Sequence, residues 1–250
     1  MPAPTTVELL WGMPQRPRRG PKPALTLTGI VAEAIALADA EGLANLSMQR
    51  LAERLGYTKM SLYRYVPGKE QLTALMLDTA IGAPPEPRGS QPGSAPAWRN
   101  ALRHWAMTIY QRYRAHPWTL ELVAGVRPMG PNELGWLEVA LVALDGTGLT
   151  GPERLDTVVL LNGHARGLAQ QTGTGGELAA QVAEQFTLMM TAAGDGYPAV
   201  RAAFAEEAAA TGDGSPFTDN RGDALEFGIE RILDGVAVLV AERGDAITGE

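Results

Sequence analysis

At 250 residues, 45% of them apolar, the chain has material for one large or two modest domains with a buried core and is too apolar to be disordered over most of its length. It contains no cysteine, which excludes a disulfide scaffold, a thiolate metal site and a thiol nucleophile. The formal charge of −7 argues against a nucleic-acid partner only until its distribution is read.

From Arg16 to Glu70 there are nine Lys/Arg against five Asp/Glu, a net of +4, so the remainder carries −11. All three lysines, Lys22, Lys59 and Lys69, fall in that segment. An acidic body with a basic head suits a protein that holds a polyanion at one end and keeps the other end off it. No run of about 18 apolar residues occurs and no basic-then-apolar leader opens the chain, so a cytoplasmic protein with no membrane partner is expected.

Residues 1–22 read as a flexible basic arm, rich in proline and carrying Arg16, Arg18 and Arg19, suited to phosphates or a minor groove or simply a solvated tail. Residues 23–82 read as a helical head. Thr28 is placed to cap a helix to about Glu41, with Ile30, Val31, Ala34, Ile35 and Ala38 as its buried stripe and Gly42 as its stop. Ser47 caps a second helix in which Met48, Leu51, Ala52 and Leu55 recur at helical spacing. Gly56 supplies the left-handed turn, and Thr58 caps a third helix of about seven residues to Tyr65. In that helix Leu62 and Val66 point inward, which leaves Lys59, Met60, Ser61, Tyr63 and Arg64 over the remaining surface. Pro67 and Gly68 stop it, and a fourth helix runs from Lys69 to about Ile81 with Leu72, Leu75 and Met76 inside. Two short helices about a glycine turn make a helix-turn-helix. A cationic, aromatic-bearing face on the second of them is what a major-groove reader needs: donors for phosphates and base edges, and apolar atoms for thymine methyls.

The run LAERLGYTKMSLYRYVPGKEQL, from Leu51 to Leu72, resembles the DNA-binding domain of TetR-type repressors, with the glycine turn, the SLYRYV segment and the GKEQL restart in order. The resemblance implies a double-stranded operator DNA partner, with Lys59, Met60, Ser61, Tyr63 and Arg64 facing the major groove and Gln49 and Arg50 assisting from the preceding helix. Tyr63 with Lys69 would hold phosphates, and Thr28, Ser47 and Thr58 mark helix N-termini whose backbone N–H groups suit the same task. Met60 and Arg64 stand where the family varies with operator sequence, so the bases read do not carry over.

Residues 83–97, APPEPRGSQPGSAPA, hold five prolines and read as a linker before a second domain, residues 98–250. Trp98, Leu102, Trp105, Ile109 and Tyr113 then recur at four, three, four and four residues along one strong helix. Four of the five tryptophans lie between Trp98 and Trp136, together with Tyr110 and Tyr113. Such a concentration marks either a bulky core or the wall of a cavity for flat apolar molecules. On the second reading Trp98, Trp105, Ile109, Tyr113, Trp118, Met129 and Trp136 line the cavity, and Asn162, Arg166 and Gln170 supply polar contacts. Further helices are expected at about residues 117–124, 132–145, 152–171, 177–193, 197–210 and 224–243, with no strand pair, so the fold class is all-α.

The segments PERLDTVVLLNGHARGLAQQ and LEFGIERILDGVAVLV resemble the two dimer-forming helices of the tetracycline-repressor-like C-terminal domain. That implies a homodimer through residues 152–171 and 224–243, and Gly163, Gly167, Gly228 and Gly235 would permit close helix approach. His104, His116 and His164 have no acidic residue at a metal-ligand spacing, so no metal or other cofactor is expected. No phosphate loop, nucleophile elbow or paired carboxylates appear, so no catalytic residue is assigned and no enzyme is expected. The expected function is a transcriptional regulator, a repressor released from its operator by a small apolar or aromatic effector. The alternative is a helical carrier or enzyme whose hairpin only looks like a DNA reader.

Overall fold

A computed structural model describes residues 4–12, 25–86, 96–171, 176–194, 196–211 and 221–248. Among them there are twelve α-helices and no strand. They gather around two apolar cores, one in the head and one in the body, with one helix contributing buried residues to both.

In the head, α2 (Leu27–Glu41) starts at Thr26, whose hydroxyl accepts from the Gly29 N–H at 3.1 Å, and not at Thr28. Both threonines are competent caps; beginning at Thr26 lays Leu27 against the head core, and Thr28 is left exposed as the second helical residue. The buried stripe is Ile30, Val31, Ala34, Leu37 and Ala38, with Ile35 half-buried at its edge. Ser47 caps α3 (Met48–Leu55) through the Arg50 N–H, and Gly56 turns the chain at φ 73°, ψ 27°. Thr58 caps α4 (Lys59–Tyr63) through the Ser61 N–H. This helix is shorter than the expected seven residues. Pro67 disfavours helical geometry at Val66, and the Tyr65 and Val66 N–H groups both close back onto the Leu62 carbonyl. Leu62 and Val66 are fully buried, as their spacing requires.

The first described segment corrects the reading of residues 1–22 as a flexible arm. Thr6–Leu10 is a helix, α1, closed by a Thr5–Glu8 capping box and packed on α5 (Lys69–Ile81). Leu9 and Leu10 are buried in the head core, and Gln71 donates to the Thr6 hydroxyl at 3.3 Å. Five residues are too few to be helical alone; burial of two leucines holds them, a tertiary effect that a five-residue pattern does not announce. Arg16, Arg18, Arg19 and Lys22 lie outside the described residues.

The helix common to both cores is α5. Its Leu72, Leu75, Met76 and Ala80 belong to the head core, and Leu77 and Ile81 to the body core. The body is built on α6 (Ala97–Ala115), which packs on α8 (Pro131–Ala143), α9 (Gly151–Gln171) and α12 (Arg221–Thr248), with the one-turn α7 (Thr119–Leu122) against α5. Arg99 ties α6 to α12 through Glu230 and, at 2.6 Å, Asp234. Where α9 and α12 meet, a side chain at Gly228 would stand 2.2 Å from the His164 ring, which would have to shift to admit it. The same addition at Gly163, Gly167 or Gly235 meets nothing within 4 Å among the described residues. Two further helices, α10 (Gly176–Ala192) and α11 (Pro198–Thr211), set the Phe186 and Phe204 rings against each other, tilted by 44° with centroids 4.2 Å apart. Most of the expected linker, residues 87–95, lies outside the described residues.

Candidate DNA-reading face and effector cavity

The turn at Gly56 presents α4 with one face on the head core and the other in solvent. Met60 is 71% exposed, and Lys59, Thr58 and Arg64 are exposed beside it. Tyr63 is half-buried against the head core, with the Lys59 ammonium 5.6 Å from its ring centroid. Among the described residues neither Lys59 nor Arg64 forms an ion pair, so both charges are open to an anion. The α3 residues differ. Gln49 donates to Glu53 at 2.6 Å, and Arg50 is bound to Glu41 and to the Asn45 carbonyl. Much of Arg50's charge is therefore answered within the head, because α2 brings Glu41 alongside α3. Lys69 reaches back to the Leu43 carbonyl at 3.5 Å. Thr28 and Ser47 lie at the N-terminal turns of α2 and α3, Ser47 with its hydroxyl already engaged in its own cap.

A cavity of about 280 Å³ opens in the body between α6, α8 and α9. Six of the ten residues assigned to a ligand line it: Trp105, Ile109, Tyr113, Met129, Trp136 and Asn162. The rows are helical faces, with 105, 109 and 113 on α6 and 133, 136 and 137 on α8. Leu155, Val158, Val159 and Asn162 on α9 stand at i, i+3, i+4 and i+7, a row that could have been extended from Asn162 by helical period alone. Ile81, Glu133 and Leu137 complete the wall.

Four assigned residues lie elsewhere. Trp118 is buried in the head core and donates its indole N–H to Asp39 at 2.6 Å, with the His116 ring on the same carboxylate at 2.8 Å. Its position just after α6 sends it across the junction to plug the head. Trp98 is half-buried against the body core at the first turn of α6. Arg166 and Gln170 stand one and two turns beyond Asn162 on α9, about 6 and 12 Å further along the helix axis, and neither is among the lining residues. Among the described residues no three of His, Asp and Glu are grouped to hold a metal.

The cavity's polar atoms form a small, mostly closed set. Trp105 and Trp136 pack edge to face at 5.7 Å; their indole N–H groups donate to the Trp136 and Gly82 carbonyls, each at 2.8 Å. Burial pushes the Tyr113 phenol above its ordinary range, so it stays protonated and donates to Asn162 Oδ1 at 3.0 Å. Glu133 is held by both terminal nitrogens of Arg127.

The cavity wall is joined to α5 at the start of α8. Asp78, on α5, accepts the Glu133 backbone N–H at 3.0 Å and the Asn132 side-chain amide at 3.1 Å, so a residue of the head's last helix caps α8 from outside. Burial raises the Asp78 carboxyl above its ordinary range, aided by the neighbouring Glu133 charge and opposed by those hydrogen bonds. Gly130 makes room for it, since a side chain there would stand 2.2 Å from the Asp78 carboxyl. Met129, on the cavity rim, accepts the Trp11 indole N–H at 3.2 Å, which links α1 to the same loop.

Residues 30–76 match the model of bacterial regulatory proteins of the tetR family, and residues 91–240 match the tetracyclin repressor-like C-terminal domain. The chain is 39% identical over 245 residues, 95% of its length and 87% of the relative's, to the HTH-type transcriptional repressor DrrR1 of Streptomyces coeruleorubidus. It is 35% identical over 140 residues, 56% of its length and 57% of the relative's, to an HTH-type transcriptional regulator of Saccharopolyspora erythraea. Among solved structures it resembles the Streptomyces coelicolor TetR family protein ActR in complex with actinorhodin, with a TM-score of 0.67 and 25% identity over 86% of this chain and 96% of that one. A turn-linked helix pair with an open cationic face, set on a helical body of the matching kind, is shared with DNA-binding transcription factors and not with enzymes: the chain belongs to the tetR family of bacterial transcriptional regulators.

Proposed function

We propose that the protein is a homodimeric, cytoplasmic repressor that holds double-stranded operator DNA through α4 of each head and leaves it when a small, apolar, aromatic effector fills the body cavity. One observation carries this reading: α5 belongs to the head core, contributes Ile81 to the cavity wall, and caps α8 through Asp78. A molecule pressing on Trp136 or Glu133 therefore acts on the helix that carries the DNA reader. Moving a population from 1:99 to 99:1 takes roughly 5.5 kcal/mol of differential affinity, which the effector would supply across two subunits.

Dimerisation is supported by the outward face of α9 and α12. Leu160, Phe227 and Val238 are exposed there, at 57%, 65% and 61%, and Gly163, Gly167 and Gly235 face open space. A five-residue recognition helix reads few base pairs, and a two-fold dimer reads two half-sites about one DNA turn apart. Lys59, Met60, Ser61, Tyr63 and Arg64 are the proposed major-groove contacts, with Thr28, Ser47, Thr58 and Lys69 at the backbone. Gln49 and Arg50 would first have to release Glu53 and Glu41. The repressor sign follows DrrR1, and the aromatic effector follows the cavity walls together with the actinorhodin bound by ActR. No helix among the described residues is long and apolar enough to cross a membrane.

The test is a fluorescence-anisotropy titration against DNA from the protein's own promoter region, with a Tyr63→Ala, Arg64→Ala double variant alongside. Wild type should bind with an affinity that falls steeply with salt, and the folded, dimeric variant should lose that binding. A folded wild-type dimer that binds none of its neighbouring promoters at low salt would favour the carrier reading instead.

A further inference from the structure

We infer that the effector is an uncharged, flat, largely hydrocarbon molecule whose one essential polar group is a carbonyl, held by the carboxamide N–H of Asn162. The inference rests on the cavity being the effector site and follows from what its lining leaves open.

Five lining side chains carry N–H, O–H or carboxylate groups: Trp105, Tyr113, Glu133, Trp136 and Asn162. Both indole N–H groups are spent on backbone carbonyls, and the Tyr113 proton is spent on Asn162 Oδ1. Glu133 Oε1 and Oε2 each take an Arg127 terminal nitrogen, and Oε2 also takes the Gly130 N–H at 3.4 Å. Asn162 remains. Its oxygen is committed to Tyr113, which orients the amide, and its Nδ2 carries two donors with no acceptor among the described residues. The cavity therefore offers a ligand a fixed donor amid aromatic and aliphatic surface. A donor in such surroundings selects an acceptor, because a ligand without one covers the N–H and strips it of water without replacing the hydrogen bond.

Charge is excluded by the same accounting. The one carboxylate in the wall is already neutralised by Arg127, so a cationic ligand finds no free counter-charge, and an anionic one would be buried with no cation among the lining side chains to pair with it. The Trp105 and Trp136 rings and the facing Ile109, Leu137, Val158 and Val159 side chains leave a space suited to two or three fused rings.

9-Fluorenone and fluorene share one outline and differ by a single carbonyl, and they serve as the probe pair in equilibrium dialysis with the full-length protein. Wild type should bind 9-fluorenone at least about tenfold more tightly than fluorene. That ratio should collapse towards one in Asn162→Leu. It should also collapse in Asn162→Asp, which keeps the acceptor for Tyr113 and, when ionised, has no donor; a thermal melt checks each fold. 9-Fluorenone-2-carboxylate should bind at least tenfold more weakly than 9-fluorenone.

Equal binding of fluorene and 9-fluorenone by wild type, a ratio preserved in both folded variants, or tight binding of the carboxylate would each overturn the inference. If the compounds still bind and Ile109→Trp blocks them, the cavity reading survives that failure. Binding of none of the three compounds by wild type, or binding indifferent to Ile109→Trp, would remove the cavity reading and the inference together.

Discussion

The head and the body bury comparable sets of apolar residues and use their aromatic residues in opposite ways. In the head the core is mostly leucine, isoleucine, alanine and methionine, and Tyr57, Tyr63 and Tyr65 stand wholly or partly at the surface beside Lys59 and Arg64. In the body Trp105, Tyr110, Tyr113 and Trp136 are all turned inward, three of them onto an opening that they do not fill. A DNA reader has to be rigid beneath and adaptable on top, so its core is filled and its specificity sits outside. A chemical sensor needs an unfilled interior, and rigid rings hold a cavity open better than flexible aliphatic side chains do. Trp118 is the exception that joins the two, an aromatic residue following a body helix that completes the head core.

The comparison is broken most directly by truncating one residue in each core. Leu62→Ala, at a fully buried head position, should cost about 2–5 kcal/mol, whereas Ile109→Ala, buried but lining the cavity, should fall at the low end, about 2 kcal/mol. Urea denaturation of the two variants measures both; equal losses would mean that the body closes around Ile109 in solution.

Next in size is the joint between the regions. Gly130→Ala places a methyl group 2.2 Å from the Asp78 carboxyl and 2.7 Å from its Cβ, too near the root of the side chain for rotation to relieve. It should cost about 1–3 kcal/mol and detach Asp78 from α8. Hydrogen exchange at the Glu133 N–H should then rise well above the global unfolding rate; unchanged protection there would show that Asp78 does not cap the helix.

The smallest effect is a slope. Burial, with help from Glu133, raises the Asp78 carboxyl, so the folded protein binds that proton more readily than the unfolded chain does. Its contribution is therefore complete below the ordinary value of 3.8 and is lost as pH climbs through the raised folded value. Relative to Asp78→Asn, which does not titrate, wild-type stability should decline as pH rises from acid towards neutral. Parallel stability curves for the two proteins, measured by thermal unfolding across that range, would remove Asp78 from the pH response.

Local chemistry made much of this legible in the chain alone. Ser47, Gly56 and Thr58 act on neighbours within three or four residues, and the inward pair Leu62 and Val66 is fixed by helical period, so the reading helix and its open face follow from sequence. The same period marks Trp105, Ile109 and Tyr113 as one row. What it does not carry is how far along a neighbouring helix that row extends. Helical period therefore assigns Trp118, Arg166 and Gln170 to the cavity wall, whereas Trp118 fills the head core and Arg166 and Gln170 are not among the lining residues. The choice of Thr26 over Thr28, the docking of α1 by Leu9 and Leu10, and the capping of α8 by Asp78 depend on surfaces brought together from distant parts of the chain. Sequence by itself determined the helices other than α1, the turn and the charged face, because those energies are local. Only the tertiary structure decided which rings enclose a cavity and which helix answers to it, because burial is a property of the whole packing.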